Sequence, residues 1–161
     1  MAGHRVAIIT DTHFGVRKGS QIFHDYFEKF YRDTFFHTID QLGITSVLHL
    51  GDCFDVRKGI DYWSLDWAKR VFFGPLWQRG IDLHMIVGNH DIFYKQSLRI
   101  NSPKLNLAEY DNIVIYGNPE TAVIDGTKIF MHVRRGDYVN HPDQHPALPV
   151  SYYEEAYKKF P

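Results

Sequence analysis

The sequence predicts an α/β fold, a mainly parallel sheet with flanking helices. Three short apolar runs, 5–10, 46–50 and 82–87, are typical of buried strands. Long segments with helical spacing of apolar residues separate them. Because a strand–helix–strand crossover is nearly always right-handed, the three strands should lie parallel in one sheet.

The bulk composition limits the class of protein. A chain of 161 residues can form one domain with its own core. The formal net charge of −1 provides no overall basic field for nucleic acid, although a local patch could still attract it. The single cysteine, Cys53, excludes an intrachain disulfide and fits a reducing compartment. No apolar run approaches about 18 residues and no signal-peptide pattern begins the chain, so we expect a cytoplasmic protein without membrane contact.

Two helices are predicted between the strands. Apolar residues recur with helical spacing from Ile22 to Leu42, with Ser20 as the expected N-cap and Gly43 as the end. Many of these residues are aromatic, and we expect them to pack in the core. A second helix is expected from Asp61 to Arg79, broken near the Gly74-Pro75 pair.

Short elements should follow the third strand. Residues 88–101 are expected to form a loop and a short helix. Three further strands are predicted at Asn112–Tyr116, Thr121–Ile124 and Lys128–Met131. The Asp125-Gly126 pair is typical of a hairpin turn that joins the last two.

Polar side chains follow each of the first three strands. Asp11 and His13 follow the first, Asp52 the second, and Asn89 and His90 the third. Because open α/β sheets place their sites at the carboxyl ends of the strands, these groups should meet. Carboxylate, imidazole and amide ligands suit manganese, iron or zinc. Two such ions about 3.5–4 Å apart can clamp a phosphoryl group and activate a water molecule.

Neighbouring residues suggest further roles. His90 could donate a proton to a leaving oxygen, with Asp91 orienting its ring. Arg57 and Lys58 form a short basic loop that could contact phosphate, although most such clusters are simply solvated. Asp55 could neighbour the ligands but is better interpreted as fixing its loop by hydrogen bonds.

Two residues near the motifs are interpreted as structural. His49 lies on an apolar strand and is expected to be a core histidine with satisfied hydrogen bonds. Cys53 lies inside a motif and is expected to be a small packing residue rather than a metal thiolate.

The motifs Asp-x-His, Gly-Asp-x-x-Asp and Gly-Asn-His-Asp, in this order, make the sequence resemble the calcineurin-like metallophosphoesterases. The resemblance covers about residues 4–131. Gly-Asp-Cys-Phe-Asp followed by a long helix is similar to the Mre11/SbcD branch, which includes recombination endonuclease subunits of T4-like phages. The chain would then form the N-terminal half of the family's α-β-β-α sandwich.

The resemblance also implies site roles and partners. Asp11 and His13 would bind a first metal, Asp52 would bridge, Asn89 would bind a second metal, and His90 would be the catalytic acid. The expected cofactor is a divalent metal, Mn²⁺, with two ions in the family and one or two here. The implied function is that of a DNA repair or recombination exonuclease, with DNA and an SbcC/Rad50-like ATPase subunit as partners.

The family's site contains three further histidines from later motifs that this sequence lacks. His132, His141 and His145 stand in different contexts. We therefore expect an incomplete two-metal site, and an inactive, truncated or chimeric fragment that binds metal or a partner stays an alternative. An uncovered sheet face would cause marginal stability or self-association.

The tail carries a second resemblance. Residues 132–138, His-Val-Arg-Arg-Gly-Asp-Tyr, resemble the His-x-Arg-Arg-x-Asp-Tyr motif of α-1,2-fucosyltransferases (glycosyltransferase family 11). It implies that Arg134 and Arg135 contact a nucleotide-sugar diphosphate; a solvated basic turn is the alternative. We expect a boundary at 131/132, followed by a fucosyltransferase-like fragment that is not an independent domain. A natural fusion, a truncation and an assembly artefact all fit this boundary.

Overall fold

The predicted parallel sheet is present in the computed structural model, which describes residues 5–94, 97–118 and 120–131. Four strands pair in parallel in the order β1-β2-β3-β6, so the α/β fold class is confirmed. Two antiparallel hairpins, β4–β5 and β7–β8, accompany this sheet. The strands are β1 (Ala7–Ile9), β2 (Ser46–His49), β3 (Asp82–Ile86), β4 (Ile92–Tyr94), β5 (Ser97–Asn101), β6 (Ile113–Tyr116), β7 (Glu120–Ile124) and β8 (Thr127–Met131).

Helix α1 connects β1 to β2 and contains one stretch of wider turns. It runs through Gln21–Phe30, the π-helical Tyr31–Phe36 and His37–Leu42. Gly43 ends it in a left-handed conformation, with φ 61°, as predicted. Ser20 occupies the N-cap position as predicted, and its carbonyl accepts from the His24 amide at 3.1 Å, although its side chain forms no capping hydrogen bond.

Helix α2 connects β2 to β3 and continues through the predicted break. It comprises Tyr62–Ala68, the π-helical Lys69–Phe73 and Gly74–Gln78. The wider turn places Pro75 near the start of the last segment, where a missing N–H is tolerated. At the other end, the Asp61 carboxylate caps the helix by accepting from the Ser64 amide at 2.8 Å.

The segment after β3 differs from the prediction. Ile92–Tyr94 and Ser97–Asn101 pair as the antiparallel strands β4 and β5, and the short helix α3 begins only afterwards, at Ser102–Asn106. The Asn101 side chain caps α3 by accepting from the Lys104 amide at 2.9 Å. Polar and apolar residues alternate along β5, and β4 is β-branched and aromatic, both of which favour strands over a helix.

An aromatic core fills the space between the sheet and the helices α1 and α2. Phe14 lies at its centre, within 5.5–6.2 Å of five other rings. The predicted core role of the α1 aromatics is confirmed for Tyr31, whereas Tyr26 is exposed; Phe36, outside the predicted stripe, is also buried. Phe14 packs against Tyr31, Phe54, Trp67, Phe72 and Phe73.

The β7–β8 hairpin packs on the opposite face of the sheet. Its turn has positive φ at Asp125 and Gly126, as the predicted hairpin turn requires. The Asp125 carboxylate accepts from the Ser46 hydroxyl at 2.9 Å, which anchors the turn to β2. The buried residues of this second, smaller core are Leu48, Tyr116, Ala122, Ile124 and Met131.

The tail lies outside the described residues. The predicted 131/132 boundary, the fucosyltransferase-like fragment, and the roles of Arg134 and Arg135 therefore stay predictions. Within the ranges that the structure describes, no helix has the length and apolar character needed to cross a membrane.

His49 is the core histidine that the sequence predicted, and it should make stability depend on pH. It is fully buried, its Nδ1 accepts from the Gly51 amide at 3.1 Å, and its Nε2 lies 3.0 Å from the Thr12 hydroxyl. Burial lowers its pKa to about 4. Because the unfolded histidine protonates near its ordinary pKa of 6.5, the folded state loses about 3 kcal/mol as the pH falls from 6.5 to 4.

Urea unfolding at a series of pH values measures this loss, with His49→Gln as the comparison. His49→Gln should lower by about one the number of protons taken up on unfolding, as read from the slope of the free energy of unfolding between pH 4 and 6.5. Equal pH dependence in the two proteins would show that His49 does not carry the effect.

Candidate metal centre

The loops that follow β1 and β2 run side by side beyond the ends of the strands. The Asp11 amide donates to the Gly51 carbonyl at 3.1 Å, and the His13 amide donates to the Asp52 carbonyl at 3.1 Å. A further bond joins the Phe14 amide to the Cys53 carbonyl at 2.8 Å. This ladder fixes the predicted ligands of the first two motifs beside one another.

Three predicted ligands have left-handed backbone angles. The φ values are 53° at Asp11, 42° at His13 and 51° at Asp52. Such conformations cost on the order of 1–3 kcal/mol each for residues with a side chain, although Asp and His tolerate them better than most. Strain of this kind concentrates at functional sites, which agrees with the predicted roles.

The side chains of these three residues form one group of ligand atoms. One such atom from each of Asp11, His13 and Asp52 lies within 4.8 Å of the others, and His13 Nε2 is 3.6 Å from Asp11 Oδ1. Two carboxylates and an imidazole make a donor set that fits a divalent cation such as manganese, iron or zinc. The residues present therefore fit the metal that the first two motifs predicted.

A second group contains His13, Asp55 and His90. Their ligand atoms also lie within 4.8 Å of one another. The Asp55 carboxylate is 3.3 Å from His13 Nδ1, and the rings of His13 and His90 meet edge to face with centroids 4.9 Å apart. From the sequence alone, Asp55 could neighbour the ligands, although a loop-fixing role is favoured. The signal that could have revealed it is the second aspartate of Gly-Asp-x-x-Asp.

His90 is tied to the second motif by two hydrogen bonds. Its backbone amide donates to Asp52 Oδ1 at 2.8 Å, and its Nδ1 lies 2.7 Å from the Asp55 carbonyl oxygen. Since a carbonyl can only accept, Nδ1 carries the proton in this bond. The other ring nitrogen, Nε2, is then the atom available for proton transfer.

Asp91 does not orient His90, and the prediction that it would is wrong. Its buried carboxylate accepts from the Phe54 amide at 3.0 Å and from the Gly88 amide at 2.9 Å. Burial raises the pKa of Asp91, while these amide hydrogen bonds act in the opposite direction. Both oxygens are engaged with backbone, so Asp91 joins the loop of the second motif to that of the third.

Asn89 and the basic loop lie next to each other. Asn89 is between Gly88 and His90 on the third loop, and its carbonyl accepts from Arg57 Nε at 2.9 Å. Lys58 Nζ lies 5.5 Å from the centre of the Phe93 ring, at the start of the β4–β5 hairpin. The two predicted phosphate-contacting residues therefore border the third loop.

A cleft of about 590 Å³ lies beside the candidate centre rather than over it. Because β6 runs parallel to β3, the residues after it reach the same edge of the sheet as the third motif. Arg99 and Lys104 contribute positive charge to this cleft, and Glu120 contributes a negative charge. The cleft is lined by Ser97, Leu98, Arg99, Asn101, Lys104, Ile115, Gly117, Asn118 and Glu120.

Cys53 is the packing residue that the sequence predicted. Its side chain is fully buried. Burial raises the pKa of the thiol well above its ordinary value, which disfavours the thiolate form that metals bind.

Comparisons with known proteins agree with this geometry. The family model described as calcineurin-like phosphoesterase matches residues 4–159. Over 87 residues the chain is 41% identical to exonuclease subunit 1 of Enterobacteria phage T4; the match covers 54% of this chain and 25% of that protein. This chain thus matches about a quarter of that relative's length. Neither finding supports the fucosyltransferase-like interpretation of the tail.

Gly88→Ala should disrupt the centre because the third loop touches the second. A Cβ at Gly88 would lie 2.1 Å from the Asp52 amide nitrogen and 2.3 Å from Asp52 Oδ1. We expect Gly88→Ala to lower the free energy of unfolding by at least about 1–3 kcal/mol, as overpacking does elsewhere.

Gly59→Ala is the matched control. A Cβ at Gly59 meets nothing within 4 Å, so its effect should stay within about 0.5 kcal/mol. Urea unfolding of the three proteins makes the comparison. Similar midpoints for the two variants would contradict the close contact between the loops.

Proposed function

This chain belongs to the calcineurin-like phosphoesterase family, and we propose that it is a metal-dependent phosphodiesterase that acts on DNA in repair or recombination. The convergence of Asp11, His13, Asp52 and His90 at one edge of the sheet supports this proposal most strongly. In this proposal Asp11 and His13 would hold a first cation, Asn89 would serve a second one, and Asp52 would be available to both.

Manganese is the proposed cation because oxygen donors predominate in the set. A bound divalent cation supplies positive charge that polarises the phosphoryl group and lowers the pKa of a water molecule. The hydrogen bonds between the first two loops fix the backbone from which the side chains of Asp11, His13 and Asp52 would reach the cation. Little further ordering of the backbone is therefore needed when a cation binds.

His90 is the proposed proton donor to the leaving oxygen. The Asp55 carbonyl holds Nδ1, and the Asp52 carboxylate holds the backbone amide, so both the ring and its loop are fixed. In the imidazolium form both ring nitrogens carry a proton; the proton at Nε2 passes to the oxygen that departs as the bond to phosphorus breaks, which leaves a neutral ring with its proton at Nδ1. A positioned general acid of this kind contributes about 10²–10⁴-fold to the rate.

DNA is the proposed substrate because cationic side chains border the centre while the whole chain is nearly neutral. Arg57 and Lys58 lie along the third loop, and Arg99 and Lys104 line the neighbouring cleft. Phosphate contacts of this type position nucleic acid without reading its sequence. The phage relative is an exonuclease subunit, which supports DNA as the substrate and a further subunit as the partner. We propose that this partner is an SbcC/Rad50-like ATPase.

A metal-binding domain without activity is the second candidate. Both candidate ligand groups include His13, so their sites compete for one imidazole. A single ion would still bind, but the clamp on the phosphoryl group would be missing.

Manganese-dependent hydrolysis of bis(nitrophenyl) phosphate tests the proposal. We expect turnover by the wild type, a kcat about 10²–10⁴ lower for His90→Ala with manganese affinity retained, and loss of both for Asp52→Ala. His37→Ala, at an exposed position on α1, is the matched control and should keep full activity.

The outcomes separate the candidates. Manganese binding by the wild type without any turnover would favour the inactive metal-binding domain. Turnover that persists without manganese, or at equal rates in His90→Ala, would contradict the proposed roles.

A further inference from the structure

A buried hydrogen-bond network of Thr12, His49, Gly51 and Cys53 crosses from the first loop to the second. The Thr12 hydroxyl oxygen lies 3.0 Å from His49 Nε2 and 3.1 Å from the Cys53 carbonyl oxygen. His49 Nδ1 accepts from the Gly51 amide at 3.1 Å. The side chains of Thr12 and His49 are both buried, so water competes little for these hydrogen bonds.

The direction of each bond follows from the groups that it joins. An amide can only donate, so His49 Nδ1 accepts from Gly51 and the uncharged ring carries its proton at Nε2. That nitrogen then donates to the Thr12 hydroxyl oxygen. The Thr12 hydroxyl in turn donates to the Cys53 carbonyl, which can only accept. Because each donor has its own acceptor, loss of the central hydroxyl would leave two buried polar groups without a partner.

The network encloses the proposed ligands of both loops. Thr12 is the residue between Asp11 and His13, and the backbone groups of the network belong to the residues on either side of Asp52. The backbone ladder between the loops uses the amides of Asp11 and His13, and the Thr12 hydroxyl adds a side-chain contact between those two rungs. All three ligands have left-handed backbone angles, so their loops need support from contacts of this kind.

We propose that Thr12 and His49 are positioning residues that fix the spacing between the ligands of the first loop and the ligand of the second. Neither side chain has to touch the cation. This inference rests on the proposed function, in which Asp11, His13 and Asp52 bind a divalent cation. A cation binds tightly where its ligand atoms are already held in place by the residues around them, so a looser contact between the loops should lower the affinity.

Two pairs of variants isolate the contact between the loops. Thr12→Val removes the hydroxyl at nearly the same volume, whereas Thr12→Ser keeps it. His49→Asn keeps an acceptor for the Gly51 amide but is too short to reach Thr12, whereas His49→Gln offers a donor near the position of Nε2. The first member of each pair should therefore impair the centre, and the second member should restore it.

Manganese affinity of the full chain, measured by calorimetry, is the first readout. It should fall about 10–100-fold in Thr12→Val and in His49→Asn, and it should stay close to that of the wild type in Thr12→Ser and His49→Gln. Ile124→Val is the matched control because it removes a buried methyl group from the second core. The neighbouring turn is anchored at the start of β2, whereas the centre lies beyond its end, so this variant should bind manganese as the wild type does.

Hydrogen exchange in the metal-free chain is the second readout and needs no cation. The Asp11 and His13 amides donate to the second loop, so they should exchange faster in Thr12→Val than in the wild type or Ile124→Val. Thr12→Ser should restore the slow exchange. The Leu83 amide donates to the Asn112 carbonyl elsewhere in the fold, and its exchange should follow global stability alone.

Three results would overturn the inference. The first is a manganese affinity in Thr12→Val and His49→Asn equal to that of the wild type. The second is a failure of Thr12→Ser to restore the affinity, since the hydroxyl would then not be the group that matters. The third needs no variant: long-range ¹H–¹⁵N spectra of the wild type that place the His49 proton at Nδ1 would contradict the direction of the network.

Failure of the proposed function gives a different pattern. The wild type would then bind no manganese, while the exchange of the Asp11 and His13 amides would still depend on the Thr12 hydroxyl. Manganese binding and hydrolysis by the wild type, with unchanged exchange and affinity in Thr12→Val, would instead reject the positioning role alone.

Discussion

The close approach of three loops at the carboxyl edge of the sheet is the constraint on which the centre depends. Gly51 and Gly88 lie so near each other that a Cβ on Gly51 would be 2.8 Å from the Gly88 Cα. The buried Asp91 carboxylate then fastens the third loop to the second through the amides of Phe54 and Gly88. Without this approach, Asp52 could not accept from the His90 amide, and the first two motifs would be separated from the third.

Of the two cores, the aromatic core is the one that supports this edge of the sheet. Phe14 and Phe54 follow the first two motifs directly and are buried in the aromatic core, so they stabilise the loops that carry the ligands. Burial of large aromatic side chains contributes roughly 1.5–3 kcal/mol each. That contribution offsets the free-energy cost of the left-handed backbone at Asp11, His13 and Asp52.

The sequence predicted the sheet and the convergence of Asp11, His13 and Asp52 at its edge better than it predicted the contacts around them. The apolar runs predicted the strands, and the polar residues that follow them predicted the positions of Asp11, His13 and Asp52. This works because parallel strands have their carboxyl ends at one edge of the sheet. Two contacts escaped this reasoning. The Asp91 carboxylate accepts from backbone amides instead of contacting His90. The His90 ring contacts the carbonyl oxygen of Asp55. Such contacts depend on the local course of the loops, and main-chain atoms leave no trace in a residue pattern.

The errors in secondary structure have a similar origin. The segment that contains β4 and β5 was predicted as loop and helix because its apolar runs are short. Short apolar runs are compatible with both helical and strand periodicity. The helix α2 passes Pro75 because a π-helical turn precedes it, a tertiary adjustment that no local preference indicates.

The location of a bound metal tests the central claim most directly. Crystals soaked in manganese should show an anomalous scattering peak between Asp11, His13 and Asp52, within coordination distance of all three side chains. A peak enclosed instead by His13, Asp55 and His90, or no peak near any of these residues, would contradict the assignment of the centre.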